Sequence, residues 1–285
     1  MMLQDKVTLV VGGNGKTGRR VAERLTQTGV PIRIGSRSGH PQFDWENQNT
    51  WPLALQGVES AYITYYPDVA FPGAVKNVRT FAKLAVDSGV RRLVLLSGRG
   101  EEGALLGEQA VKESDADWTI VRASWFNQNF SEGHLLEPVL SGEVAFPAGN
   151  IAEPFVDAED IADVVTAALS EKRHVGQIYE VTGPRLLTFT EAVEEIVKAT
   201  GRQIRYEPIS AEQYGSALLG YGLPADFVTP LVKLFTTVLD GRNARLAEGV
   251  QRALGRAPID FADYARDAAA SGVWTASRTR LRMAG

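Results

Sequence analysis

The chain has 285 residues, 44% hydrophobic and 22% charged, enough to bury a substantial core as one large domain or as a domain with a smaller lobe. It has no cysteine, which removes disulfides, thiolate zinc sites and cysteine nucleophiles and suits a reducing compartment, so the expected location is the cytoplasm. A net charge of −4 gives phosphate backbones no general attraction, and nucleic acid is not an expected partner.

From the N-terminus, the apolar run over residues 7–11 is stopped by Gly12, short of a secretory leader, and no later stretch approaches the ~20 apolar residues of a membrane span. Residues 8–11 read as a first strand. Val21, Ala22 and Leu25 then recur at helical spacing, with Gly29 as a stop. Residues 32–34 and 61–64 read as further strands, and Val75, Val78, Ala82 and Ala85 as one face of a helix. Two more buried strands follow at 93–97 and 119–122. This alternation of β-branched runs with helical segments predicts βαβ units on a parallel sheet. After an aromatic segment, Ile161, Val164, Val165 and Ala168 share a helix face, and the sheet is expected to end at 178–181. Thr188-Phe189-Thr190-Glu191 has capping-box spacing and opens a helix. The three arginines near the end, Arg278, Arg280 and Arg282, read as a solvated terminus.

The sharpest motif is Gly12-Gly13-Asn14-Gly15-Lys16-Thr17-Gly18, set between a strand pattern and a helix pattern. Glycines there permit the tight turn, the approach of a pyrophosphate to the backbone, and close helix–strand packing. The helix N-terminus then receives the negative charge. A nucleoside-triphosphate loop is excluded, because that pattern needs a glycine five positions before Gly15, where Val10 stands. After the second strand, Gly35-Ser36-Arg37-Ser38-Gly39 carries no acid to hold ribose hydroxyls. The Arg37 guanidinium and the serine hydroxyls suit a 2′-phosphate, so NADP(H) is the expected cofactor.

These residues resemble the NmrA-like atypical short-chain dehydrogenase/reductases. The resemblance is carried by the glycine motif, by Ser36-Arg37, by Thr119-Ile120-Val121-Arg122 with Trp125-Phe126-Asn127-Gln128-Asn129-Phe130, and by Phe155-Val156-Asp157-Ala158-Glu159-Asp160-Ile161-Ala162. Gly15-Lys16-Thr17, Phe43-Asp44-Trp45 and Trp125-Phe126 look most like the ergot-alkaloid dehydrogenase branch and its quinone-reducing bacterial relatives. The resemblance implies a Rossmann-type doubly wound α/β fold, with an NADP(H) domain over 1–182 and a smaller, mostly helical substrate lobe over 183–285. Residues 123–155 would contribute to an aromatic substrate pocket. It further implies cofactor contacts at Gly12, Gly13, Asn14, Gly15, Lys16, Thr17, Gly18, Ser36 and Arg37, with Asp44 and Trp45 near the adenine and Thr64 and Tyr65 along the cofactor. Classical members use a Tyr-x-x-x-Lys pair to protonate a carbonyl; aligned back from Thr119, those positions are Gly100 and Ala104.

Two readings compete. A non-catalytic NADP(H) sensor needs no acid. A reductase of quinones, iminium ions or polycyclic aromatics, acting in secondary metabolism, needs little more than alignment of donor and acceptor. Aromatic residues near strand ends favour the second, with Tyr66, Trp125, Phe126, Asn127, Phe130 and Phe155 as substrate contacts and Tyr66 and Ser97 as candidate proton donors or oxyanion contacts. A classical ketone reductase or sugar epimerase ranks third. Glu101-Glu102 follows the strand carrying Ser97 and reads as a solvated loop in preference to a pocket-facing turn, and Asp157, Glu159 and Asp160 read as helix caps. His40, His134 and His174 lack metal-ligand spacing and read as surface or capping residues, so no metal is expected. The oligomeric state stays open, a homodimer included.

Overall fold

The first strand ends where the sequence demands it: the β-branched run Val7–Val11 (β1) meets Gly12 at φ 69°, a left-handed conformation costly for other residues. A computed structural model describes residues 7–275, so Arg278, Arg280 and Arg282 lie outside the described residues. The chain continues through α1 (Lys16–Gln27), β2 (Ile32–Gly35), α2 (Trp51–Leu55), β3 (Val58–Ile63), α3 (Ala74–Asp87), β4 (Arg92–Gly98), α4 (Glu102–Lys112) and β5 (Asp117–Ala123). Next come α5 (Asn129–Glu132), α6 (Leu136–Ser141), β6 (Glu143–Phe146), β7 (Ala152–Glu153), α7 (Ala158–Ser170) and β8 (Gln177–Val181). The remainder holds β9 (Leu187–Thr188), α8 (Phe189–Thr200), β10 (Arg205–Pro208), α9 (Ala211–Gly220), α10 (Ala225–Val238), α11 (Gly249–Leu254) and α12 (Phe261–Ala270).

Two compact units result. The first comprises Met1–Ser124, Ala158–Thr182 and Leu246–Pro258; the second comprises Trp125–Asp157, Gly183–Arg245 and Ile259–Gly285. A single cut after residue 182 differs from this division in two segments. Residues 125–157 belong with the second unit, and 246–258 return to the first. The return has a packing cause. Gly249 opens α11 so close to β8 that a Cβ would lie 2.0 Å from the Glu180 carbonyl oxygen. Arg256 then pairs with Asp160 and Asp163 of α7.

In the first unit, six strands form a parallel sheet in the order β2-β1-β3-β4-β5-β8. The order reverses between β1 and β3, the switch point at which such sheets bind ligands beyond their C-terminal ends. The fold is thus mixed α/β and doubly wound, and its strands are near-continuous apolar runs because both faces are covered.

The second unit is mostly helical. It adds two short sheets, β10 with β6 and β7 with β9, around an aromatic core that includes Phe130, Phe146, Phe155, Phe189 and Phe261. The capping box is present at α8: Thr188 Oγ1 accepts from Glu191 N, and the Glu191 carboxylate accepts from Thr188 N. A second such box, Ser210 with Gln213, opens α9 and escaped the sequence reading. No helix among the described residues is long and apolar enough to cross a membrane.

Candidate functional site

The glycine loop joins β1 to α1 at the sheet's switch point. Gly18 packs against the loop itself, since a Cβ there would stand 2.2 Å from the Gly12 carbonyl oxygen. A Cβ on Gly13 would meet Ile34 at 2.8 Å, and one on Gly12 would meet Thr64 Oγ1 at 2.2 Å. Gly15 differs: only the Gly12 oxygen, at 3.2 Å, lies within reach of a Cβ, so the loop presents open backbone at this residue. Gly15 is also the N-cap of α1, with no side-chain cap bond and no acid in the first turn. The amides of that turn therefore favour an anion, which fits a dinucleotide pyrophosphate. Asn14 is exposed beside Gly15, and Lys16 is half-buried. Thr17 is buried, and its hydroxyl accepts from Tyr62 at 2.9 Å, which fastens α1 to the sheet. Burial pushes the Tyr62 phenol pKa up, so it stays protonated and donates.

At the end of β2, Ser36 Oγ is sealed from solvent with no hydrogen-bond partner among the described residues, and Arg37 beside it is exposed. An orphaned hydroxyl next to an exposed guanidinium fits a phosphoryl group. Asp44 is occupied locally: its carboxylate accepts from Glu46 N at 3.1 Å and its carbonyl from Trp51 Nε1 at 2.7 Å. Trp45 donates to the Thr64 carbonyl at 2.9 Å, and its ring lies 4.9 Å from that of Tyr65. Phe43, Trp51 and Phe81 complete this aromatic cluster, which fixes the β3 end against the loop after β2.

Beyond β3 and β4 the expectations need correction. Ser97 is buried, and its hydroxyl donates to Glu108 Oε1 at 2.8 Å, which engages the proton of this candidate donor. Glu108, fully buried on α4, also binds the Arg122 guanidinium at 2.6 Å through each oxygen. These bonds raise the Arg122 pKa further. Arg122 and Arg99 both reach Glu180 at 3.4 Å, and Arg99 donates to Ser124 Oγ at 2.9 Å. Tyr66 is 74% exposed in the loop after β3. Gly100 turns left-handed at φ 73°, and Ala104 is buried on α4. Glu101, expected in solvent, instead has Oε2 sealed from it. Burial pushes its carboxyl pKa well up, and adjacent Asp68 adds to the rise; burial raises Asp68 as well.

Among the aromatic candidates, Phe130 and Phe155 lie inside the second unit's core, touching each other, Phe189 and Phe261. Phe130 is 0% and Phe155 2% exposed, so neither presents a face to solvent. Asn127 is fully buried, and its amide reaches Asp157 at 3.3 Å. Trp125 and Phe126 remain part-exposed, with Trp125 bordered by His134, Phe146, Phe189 and Phe235. Glu159 and Asp160 stand in the first turn of α7, where carboxylates complement the helix dipole, and the acids there also take side-chain partners. Asp157 accepts from Gln128 at 2.8 Å, Glu159 pairs with Arg20 and Arg24, and Asp160 pairs with Arg256. His174 is no surface residue: it is buried, with Nδ1 2.8 Å from the Tyr179 hydroxyl, and burial lowers its pKa. The sequence reading missed Glu108; its i, i+4 relation to Lys112 was a signal, but a weak one.

A parallel sheet reversing beside a glycine-rich, uncapped helix start defines a Rossmann-type fold. The chain belongs to the NmrA-like family, whose profile matches residues 108–252. It is 31% identical over 96% of its length to the uncharacterised oxidoreductase YesF of Bacillus subtilis, covering 98% of that protein. It is 30% identical over 90% of its length to festuclavine dehydrogenase of Aspergillus fumigatus, covering 96% of that enzyme. In fold it resembles the NADPH-dependent quinone oxidoreductase of Escherichia coli solved with NADPH. The TM-score is 0.75 at 20% identity, with 92% of this chain and 99% of that one covered.

Proposed function

We propose that the protein is an NADPH-dependent reductase that passes hydride to a planar conjugated acceptor: a quinone, a polycyclic aromatic polyketide or an iminium ion. The observation that carries this reading is the sealed, partnerless Ser36 hydroxyl beside exposed Arg37, in a turn with no carboxylate. A ribose 2′-phosphate would receive hydrogen bonds from both side chains, whereas NADH would leave Ser36 unpaired. The amides around Gly15 would hold the pyrophosphate, and Trp45, Thr64 and Tyr65 would support the ring-bearing ends of the cofactor. NADPH supplies the hydride when bound. The chain's contribution is to bind, to orient and to exclude water.

Gly100 and Ala104 occupy the positions at which the resemblance expects a Tyr-Lys pair, which argues for acceptors whose charge delocalises after reduction rather than for simple ketones. The names of the dehydrogenase and quinone oxidoreductase relatives support the same classes. The first unit is assigned to cofactor binding and the second to acceptor recognition, with part-exposed Trp125 and Phe126 as its contacts; the reaction is assigned to secondary metabolism.

The test follows NADPH absorbance with menadione and then with unconjugated ketones. Turnover of menadione alone supports the reading. Tight NADPH binding with no oxidation by any acceptor identifies a redox sensor instead.

A further inference from the structure

One side chain in the first unit joins the loop after β2 to the end of β3. Asn77 stands near the start of α3, and its Nδ2 donates to the Tyr65 hydroxyl at 2.9 Å and to the Trp45 carbonyl at 3.3 Å. Gln48 Nε2 closes the other side, donating to Asn77 Oδ1 at 3.4 Å. The direction of these bonds is fixed. A backbone carbonyl can only accept, so the atom facing the Trp45 oxygen is the amide nitrogen, and the same nitrogen faces Tyr65. The Tyr65 oxygen is thus the acceptor toward Asn77, and its own proton is turned away from that bond. No acceptor among the described residues takes this proton.

The phenol stands beside the glycine loop and the turn after β2. Thr64, its neighbour in sequence, donates through Oγ1 to the Val11 carbonyl at 3.0 Å, and the same Oγ1 lies 2.2 Å from where a Cβ on Gly12 would stand. Trp45 Nε1 donates to the Thr64 carbonyl at 2.9 Å. Phe43 N donates to the Ser36 carbonyl at 2.9 Å, so the aromatic segment is tied to the turn that carries Arg37. A dinucleotide whose pyrophosphate meets the loop and whose 2′-phosphate meets the turn presents its adenosine to the residues between them. The rings of Trp45 and Tyr65, both half-buried and 4.9 Å apart, offer flat surface there, and the phenol offers an uncharged donor. Amides and a guanidinium already answer the phosphoryl charges, which leaves this donor to a neutral partner.

We infer that Tyr65 donates its phenol proton to a neutral acceptor atom of the adenosine, on base or ribose, and that Asn77 is the positioning residue that aims it. The inference deepens the reading above and rests on its cofactor assignment. It divides the work of recognition between two sets of side chains. NADH carries the same adenosine as NADPH, so the Tyr65 contact adds affinity for both nucleotides, whereas Ser36 and Arg37 select between them. Asn77 touches neither nucleotide; it acts through the Tyr65 oxygen and the Trp45 carbonyl that it holds.

The experiment measures affinity for NADPH, NADH and adenosine 2′,5′-bisphosphate by calorimetry at low and high salt. The proteins are the wild type, Tyr65→Phe, Asn77→Ala and the double variant, with thermal midpoints as a check on folding. Tyr65→Phe is expected to lose about threefold to tenfold for all three ligands, the worth of one neutral hydrogen bond, with its midpoint held. That factor is expected to stay the same at high salt, since screening acts on charges. Asn77→Ala is expected to lose affinity when Tyr65 is present and to lose less when Phe replaces it, because the proton to be aimed is gone. Full affinity in Tyr65→Phe, a loss confined to the dinucleotides, or a loss that salt erases overturns the adenosine donor. Equal costs of Asn77→Ala in both backgrounds overturn its positioning role. A wild type that binds none of the three ligands overturns the cofactor assignment itself, and this inference with it.

Discussion

Glu108 grips Arg122 with two hydrogen bonds of 2.6 Å while receiving the Ser97 hydroxyl at 2.8 Å, so one buried carboxylate ties α4 to the ends of β4 and β5. Removing one partner of a buried pair strands the other charge. Glu108→Ala is therefore expected to cost on the order of 3 kcal/mol in urea unfolding, with Glu108→Gln costing less because one hydrogen bond survives. Equal stability of Glu108→Ala and wild type would exclude this role.

Arg37→Ala is expected to weaken NADPH about tenfold to a hundredfold, the worth of a charge-assisted contact, and to leave NADH nearly unchanged. Ser36→Ala should give a smaller loss with the same selectivity. Calorimetry with both nucleotides decides, and equal losses for the two would relocate the 2′-phosphate.

The loop glycines separate folding from binding. Gly18→Ala drives a methyl group into backbone at 2.2 Å and is expected to cost at least ~1–3 kcal/mol of stability along with cofactor affinity. Gly15→Ala meets only one atom, at 3.2 Å, so it should keep its thermal midpoint and lose NADPH binding. Parallel melting and calorimetry measure both.

Asp260 caps α12 and pairs with Arg185 at 2.7 and 2.8 Å, and that guanidinium holds its carboxyl pKa below the ordinary value. A depressed carboxyl stabilises the fold above its unfolded pKa, and this contribution is lost as pH falls through the lower folded value. Asp260→Asn should flatten that part of the acid limb below about pH 4, leaving stability less sensitive to acid than in the wild type.

Much of this was legible in the chain because local rules and global fold agree. The strand runs, the Gly12 stop and the Thr188–Glu191 box are each fixed by neighbours in sequence; the box and the stop stand where expected, while β3 starts three residues before the expected 61–64 and ends at Ile63. Short strands such as β7 and β9 left no pattern, since two residues have no period. The sequence also hid what its polar side chains do. Ser97 reads as a free hydroxyl until Glu108, eleven residues away, is folded beneath it. Glu101 reads as solvated because nothing local announces that Gly98 leaves room for its carboxyl. Phe130 and Phe155 illustrate the remaining difficulty: an aromatic residue near a strand end has the same signature whether it faces a ligand or another ring.

The return of residues 246–258 to the parallel sheet has a consequence for biosynthesis. Gly249 sits on the backbone of Glu180, and Arg256 answers the acids of α7, so the last strand acquires its cover only after more than sixty further residues have left the ribosome. Until then the backbone of β8 lacks the segment that packs on it, so this part of the first unit is completed late in synthesis. A chain halted after Thr182 would carry every glycine of the nucleotide loop and yet lack the segment that packs on β8.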